Sequence, residues 1–252
     1  MGSEWSPIIY RKGEHSLRDR DPCSDRLVRF FEGSLILAYR ILPRDSLDTV
    51  ERWSGPLLLL GGGMIVVASI IHPQGAGSQF VQQSLWVPAH IFEYAGWTTI
   101  LLGLVGWYSR FSTRLGRLGT LGFLLFFLAL ATGVGFPLWS DLLLGPYMAA
   151  NSPSLYDALP TNNGFIAIFL IGFFALVAGY LVFSVAVVRA RVLPRWAFWL
   201  IVLQIIGLAS IFGSVIAFAA FLIFEALFGL SIAGWGYAIL TRKRVESPER
   251  LQ

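Results

Sequence analysis

Three ionisable side chains stand close together in an otherwise apolar stretch: His72, His90 and Glu93. Glu93 follows His90 by three residues, so a helix puts both on one face. Trp86 and Trp97, four residues before and seven after His90, line the same stripe. His72 precedes Pro73, and His90 follows Pro88 by two residues. Two imidazoles facing each other across a helix pair could ligate a haem or chlorin axially, with Trp86 and Trp97 packing its ring. His72, His90 and Glu93 could instead hold a divalent, zinc-like ion with one open position that activates water. Either histidine could also relay protons. The plainer reading has the imidazoles capping backbone carbonyls, with Glu93 bonded to His90.

A second candidate lies deeper. Glu225 stands about ten residues, or roughly 15 Å of helix, from the nearest expected turn, and Gln204 falls at a similar depth. An ionised carboxyl is costly in hydrocarbon. The expected arrangement is therefore a neutral Glu225 hydrogen-bonded to Gln204, and the sharper alternative is proton-coupled transport through Glu225. Cys23 is the single cysteine, which excludes an internal disulfide and any site built from several thiolates.

The elements that must position these residues are read from charge and hydropathy. Hydrophobic residues make up 56% of the 252 and charged residues only 13%, with a mean hydropathy of +0.67. Soluble domains carry about 25% charged residues. The charges are also segregated: only Glu93 falls between Arg52 and Arg110, and only Glu225 between Arg195 and Arg242. Such a chain cannot cover a water-exposed surface. About 20 apolar residues cross a bilayer as a helix, and six stretches qualify: Gly55–Ile71, Leu85–Tyr108, Leu118–Leu138, Gly164–Val188, Trp196–Phe212 and Val215–Leu240. The last two form one run that would extend roughly 65 Å, so a turn is expected at Gly213-Ser214. The fold expected is all-α, a polytopic bundle of six transmembrane helices.

All 19 Lys and Arg residues fall before span one, between spans two and three, between spans four and five, or after span six. By the positive-inside rule both termini are then cytoplasmic. Trp53, Trp107, Trp196, Trp199 and Trp235 would sit at the inner interface, and Trp86 and Trp139 at the outer one. The net charge of +4 and pI near 9.5 reflect these arginine clusters beside anionic lipid rather than nucleic-acid binding. Residues 1–52 form a cytoplasmic segment in which 25–42 is amphipathic: Arg26, Arg29 and Arg40 share a face, and Phe30, Phe31, Leu35 and Ile41 cover much of the rest. An N-terminal helix lying in the cytoplasmic interface follows from this pattern. Residues 53–240 hold the transmembrane domain and 241–252 a cytoplasmic tail. The aromatic 137–163 connection, broken by Pro146, Pro153 and Pro160, is expected to fold down over the outer mouth.

His72-Pro73, Val87-Pro88-Ala89-His90, the Leu101–Leu104 run closing on Tyr108, and Val192-Leu193-Pro194-Arg195-Trp196 together resemble a loosely defined group of uncharacterised bacterial six-span membrane proteins. The resemblance covers about half the chain, and implies a six-helix bundle in the bacterial inner membrane without implying an activity. The function expected is a non-enzymatic accessory or scaffold subunit of a larger membrane complex, in contact with membrane lipids and other membrane subunits, with a haem-like or pigment cofactor at the outer pocket. A small proton-coupled transporter using Glu225, and a metal-dependent membrane hydrolase at His72, His90 and Glu93, are the alternatives.

Overall fold

In hydrocarbon a peptide group finds no water, so each apolar run must satisfy its N–H and C=O groups within itself, which a helix does. In the computed structural model the described residues are 44–75, 77–134, 140–194, 196–204 and 218–246, and every regular element among them is helical. The α-helices in chain order are α1 (Arg44–Ile71), α2 (Gly77–Val81), α3 (Trp86–Leu128), α4 (Gly145–Asn151), α5 (Pro153–Ala158), α6 (Asn163–Ala190), α7 (196–204) and α8 (Phe218–Glu246). Leu47–Gln252 forms one unit. The expected interfacial helix at 25–42 and the turn at Gly213-Ser214 lie outside the described residues.

Four helices among the described residues are long and apolar enough to cross a membrane: Glu51–Ile71, Trp86–Thr132, Ile166–Ala190 and Ala220–Thr241. The second is 47 residues long and holds both the second and the third expected spans. It is not straight. Gly116 has φ 60° and ψ −164°, outside the helical region. Tyr108 stacks on Phe123 at 4.0 Å, and its hydroxyl lies 2.8 Å from Thr120 Oγ1. Residues fifteen apart in a straight helix would be about 22 Å apart, so the chain doubles back at Gly116. The two arms of α3 are antiparallel, and Arg110, Arg114 and Arg117 flank the bend.

Several boundaries differ from the sequence reading. α1 begins at Arg44, so the border placed after Arg52 falls inside a helix. α8 continues through Arg242, Lys243 and Arg244 to Glu246, into the segment assigned to the tail. The 137–163 connection is helical over most of its described part. Pro146 and Pro153, read as breakers, instead occupy the first turns of α4 and α5, where a missing N–H costs nothing. Of the tryptophans assigned to the inner interface, Trp107 and Trp235 are wholly buried against other helices, while Trp53, Trp196 and Trp199 are exposed.

The core runs between the long helices. Trp107, Phe126, Tyr180, Phe183, Phe228 and Trp235 interlock there, Trp107 lying 5.2 Å from Trp235 between ring centroids. Glycines bring α1 against both partners. A Cβ at Gly61 would sit 2.8 Å from Gly96 O on α3, and one at Gly62 would overlap the Gly229 carbonyl of α8. Backbones this close are the small-residue packing typical of membrane helices.

At Gly116 the backbone conformation is one that only glycine adopts readily, costing other residues about 1–3 kcal/mol, and a Cβ there meets nothing within 4 Å. Gly116→Val should therefore lower stability in detergent by that amount through backbone strain alone. Gly63→Ala, also in open space, serves as the control and should change it little; equal effects would mean that the bend does not depend on glycine.

Candidate functional site

The histidines meet as the sequence suggested. His72 stands one residue beyond α1, and His90 lies in the second turn of α3. Their ring centroids are 4.9 Å apart in an edge-on arrangement. Trp86 packs on both, at 4.1 Å from His90 and 5.5 Å from His72, and Phe80 of α2 closes the cluster. His72 Nδ1 lies 2.9 Å from Pro73 O, and His90 Nδ1 lies 2.8 Å from Trp86 O. A carbonyl only accepts, so both rings carry a proton on Nδ1 and present Nε2 as the basic nitrogen.

His90 Nε2 is flanked by two carboxylates, Glu93 Oε2 at 4.0 Å and Asp141 Oδ2 at 3.8 Å. These separations exceed a direct hydrogen bond and suit transfer through one water or a small shift. Asp141 arrives from the segment before α4, where its carbonyl accepts the Trp86 indole N–H at 2.8 Å. The same cap is tied down by Gln82 Nε2 donating to Ala149 O at 2.9 Å and by Ser78 N donating to Asp157 Oδ1 at 2.7 Å. Phe80, Val81, Trp86 and Ala149 are buried beneath it. Burial, with smaller effects of Asp141 and then Asp157, pushes the Tyr156 hydroxyl up to about 12.

Below His90 the polar groups continue. The carboxyls of Glu93 and Glu225 hydrogen-bond to each other across α3 and α8. Trp97 Nε1 donates to Glu93 Oε1 at 3.4 Å. Ser69 of α1 lies 3.1 Å from Glu225 Oε2 and 2.9 Å from Ile65 O; with one hydroxyl proton it donates to one of them at a time. Two carboxyls in hydrogen-bond contact cannot both be ionised, so the pair holds at least one proton. Asp141, His90, Glu93 and Glu225 thus form a line of proton-carrying groups, from a partly exposed aspartate to a carboxyl only 4% exposed.

Other expectations are not met. Glu225 takes Ser69 and Glu93 as partners rather than Gln204, whose amide oxygen is buried on α7 without a partner among the described residues. Trp97 faces Glu93 and Phe228 rather than the imidazoles. Two imidazoles on opposite sides of one haem-type metal at about 2.0–2.1 Å each need centroids about 6 Å apart, more than the 4.9 Å found, and Trp86 fills the space beside them. The geometry does not fit a haem or chlorin held axially between His72 and His90, and no group of three His, Cys, Asp or Glu among the described residues is placed to hold a metal. Asp141 and Ser69 were missed. Depth alone would have paired the carboxyls: Glu93 lies about 12 Å into its span, close to the depth of Glu225 in its own.

Burial among rings holds the His72 imidazole below its ordinary value, against a smaller opposing effect of its bond to Pro73. The folded protein then binds fewer protons at His72 than the unfolded chain. Its contribution is complete above about pH 6.5 and lost as the pH falls towards the lower folded value. Thermal melts should thus show wild type losing more stability than His72→Phe, which keeps the ring packing, as the medium is acidified; parallel curves would assign the acid sensitivity to other groups. Comparison with known proteins supplies no relative: no family model, curated protein or solved structure matches the chain.

Proposed function

We propose that this chain is a small proton-coupled transporter whose working element is the Glu93–Glu225 pair. The observation that carries the reading is a hydrogen-bonded pair of carboxyls from two different helices, Glu225 only 4% exposed and the Glu93 side chain 18%. Ionisable groups at such depth are expensive and in membrane proteins mark proton or ion paths. His90 and Asp141 supply a graded approach from one end. Phe228 packs against Trp97 on one side and Tyr180 on the other, so apolar surface lies beyond the pair. A site reached from one side and closed on the other is what a carrier presents in one of its two states. The bond between carboxyls on α3 and α8 is also one that gaining or losing a proton would make or break.

The full topology belongs to the same proposal. Six spans arise when the arms of α3 count as two and α7 begins the fifth, with both termini cytoplasmic in a bacterial inner membrane and the cap over α2 outside. The accessory-subunit reading rests on exposed apolar helix faces, which lipid covers equally well. For the hydrolase reading, no group of three His, Cys, Asp or Glu among the described residues is placed to hold a metal.

The path is tested by infrared spectroscopy of lipid-embedded protein during exchange into heavy water. A protonated carboxyl band that vanishes in Glu93→Gln and in Glu225→Gln identifies the pair. Its deuterium shift should be fast in wild type and slower by about a hundredfold or more in His90→Phe, the scale of a lost proton-transfer group. An exchange rate unchanged by His90→Phe, or a pair that does not exchange at all, would leave it as a structural clasp. Orientation is tested separately. Ser154→Cys, on an exposed cap residue, should react with an impermeant thiol reagent in intact cells while native Cys23 is protected. The reverse pattern would invert the topology.

A further inference from the structure

A second buried polar cluster lies beyond Phe228. The Tyr180 hydroxyl pairs with Ser231 Oγ at 2.9 Å. Trp235 stacks on Tyr180, with ring centroids 5.7 Å apart and planes 12° apart, and Trp107 packs on Trp235 at 5.2 Å. Both indoles are 0% exposed, and neither Nε1 has a hydrogen-bond partner among the described residues. Leaving one buried donor unsatisfied costs about 1–3 kcal/mol. Two adjoining ones in a single core are a double penalty, avoidable in this sequence only if something accepts from them.

We infer that Trp107 and Trp235, beside the Tyr180–Ser231 pair, form a binding site for ordered water. The chemistry selects the ligand. The indoles offer two N–H donors beside a hydroxyl pair, with no charged group among these four, so the site asks for a small neutral acceptor. Buried waters typically hydrogen-bond otherwise unsatisfied groups, and the two indole N–H groups are of that kind. A lipid ester carbonyl accepts but cannot donate onward, and would have to reach residues that the long helices enclose.

The position gives the site its interest. On α8, Ser231 and Trp235 lie six and ten residues beyond Glu225, about 9 and 15 Å along the axis. The bulky side chain between is Phe228, 1% exposed. The molecule therefore carries two polar zones stacked along one helix, the carboxyl zone and a hydrated one, divided by one aromatic ring. The hydrated zone stands independently of proton transport: it would exist even if the carboxyls were only a clasp.

The experiment is ultraviolet resonance Raman spectroscopy of the full-length protein, whose indole N–H band reports hydrogen bonding. Difference spectra against Trp107→Phe and Trp235→Phe isolate the two residues among nine tryptophans. Both bands should lie at the hydrogen-bonded position, in lipid and equally in a maltoside detergent, which has no carbonyl. A free or ring-directed N–H at both residues would overturn the inference. Bonding seen in lipid but lost in detergent, with helicity retained, would replace water by a lipid carbonyl and also overturn it. Should either variant fail to accumulate, wild-type density at a resolution that shows ordered water decides the point: a peak within about 2.7–3.2 Å of each Nε1 is expected, and its absence counts against the site.

Discussion

A carboxyl group carried into hydrocarbon must find, on the spot, a partner for its proton, because desolvation makes the lone ion too costly. Glu93 and Glu225 meet that demand through each other, with Ser69 and the Trp97 indole as additional partners. The pair draws on α1, α3 and α8 at once. None of these hydrogen bonds forms unless the three backbones approach closely, and the Gly61–Gly96 and Gly62–Gly229 contacts are what permit it. In this bundle the small residues and the buried acids are two halves of one arrangement.

The cap follows from the same constraint at the other end of the line. His90 sits between a buried acid and the aspartate of a segment held by Trp86, Gln82 and Ser78. An imidazole with Nδ1–H committed to a backbone carbonyl leaves one basic nitrogen, and here it faces both carboxylates. The geometry that suits proton relay is also what spoils the pocket for a macrocycle: the rings pack against one another and against Trp86 rather than standing apart to receive a metal.

Much of the fold was legible in the residues. Charge-free apolar runs marked the long helices, and the arginines at 110, 114 and 117 marked a reversal that Gly116 makes. The spacing of His90, Glu93 and Trp86 placed them on one helix face, and the Pro-flanked ends of two neighbouring spans brought His72 to the same height. The cap was misjudged because proline was read as a breaker, although at a first helical turn it starts a helix. That Trp107 and Trp235 turn inward was not legible, because an aromatic near a span end carries the same local signal whether it faces headgroups or a neighbouring helix.

What the sequence determined by itself was the class of structure and the scarcity of ionisable groups, since both follow from hydropathy and charge taken one segment at a time. It could name Glu93 and Glu225 but not join them: the first was assigned to the histidines above it and the second to Gln204. Which helix lies against which, and at what rotation, is decided by side-chain packing between segments more than a hundred residues apart. A helix presents a polar residue only to the neighbours on that face, and a rotation of less than half a turn would have handed Glu225 to different ones. Tertiary structure alone chose Ser69 and Glu93, because the glycine faces of α1 close only in that orientation.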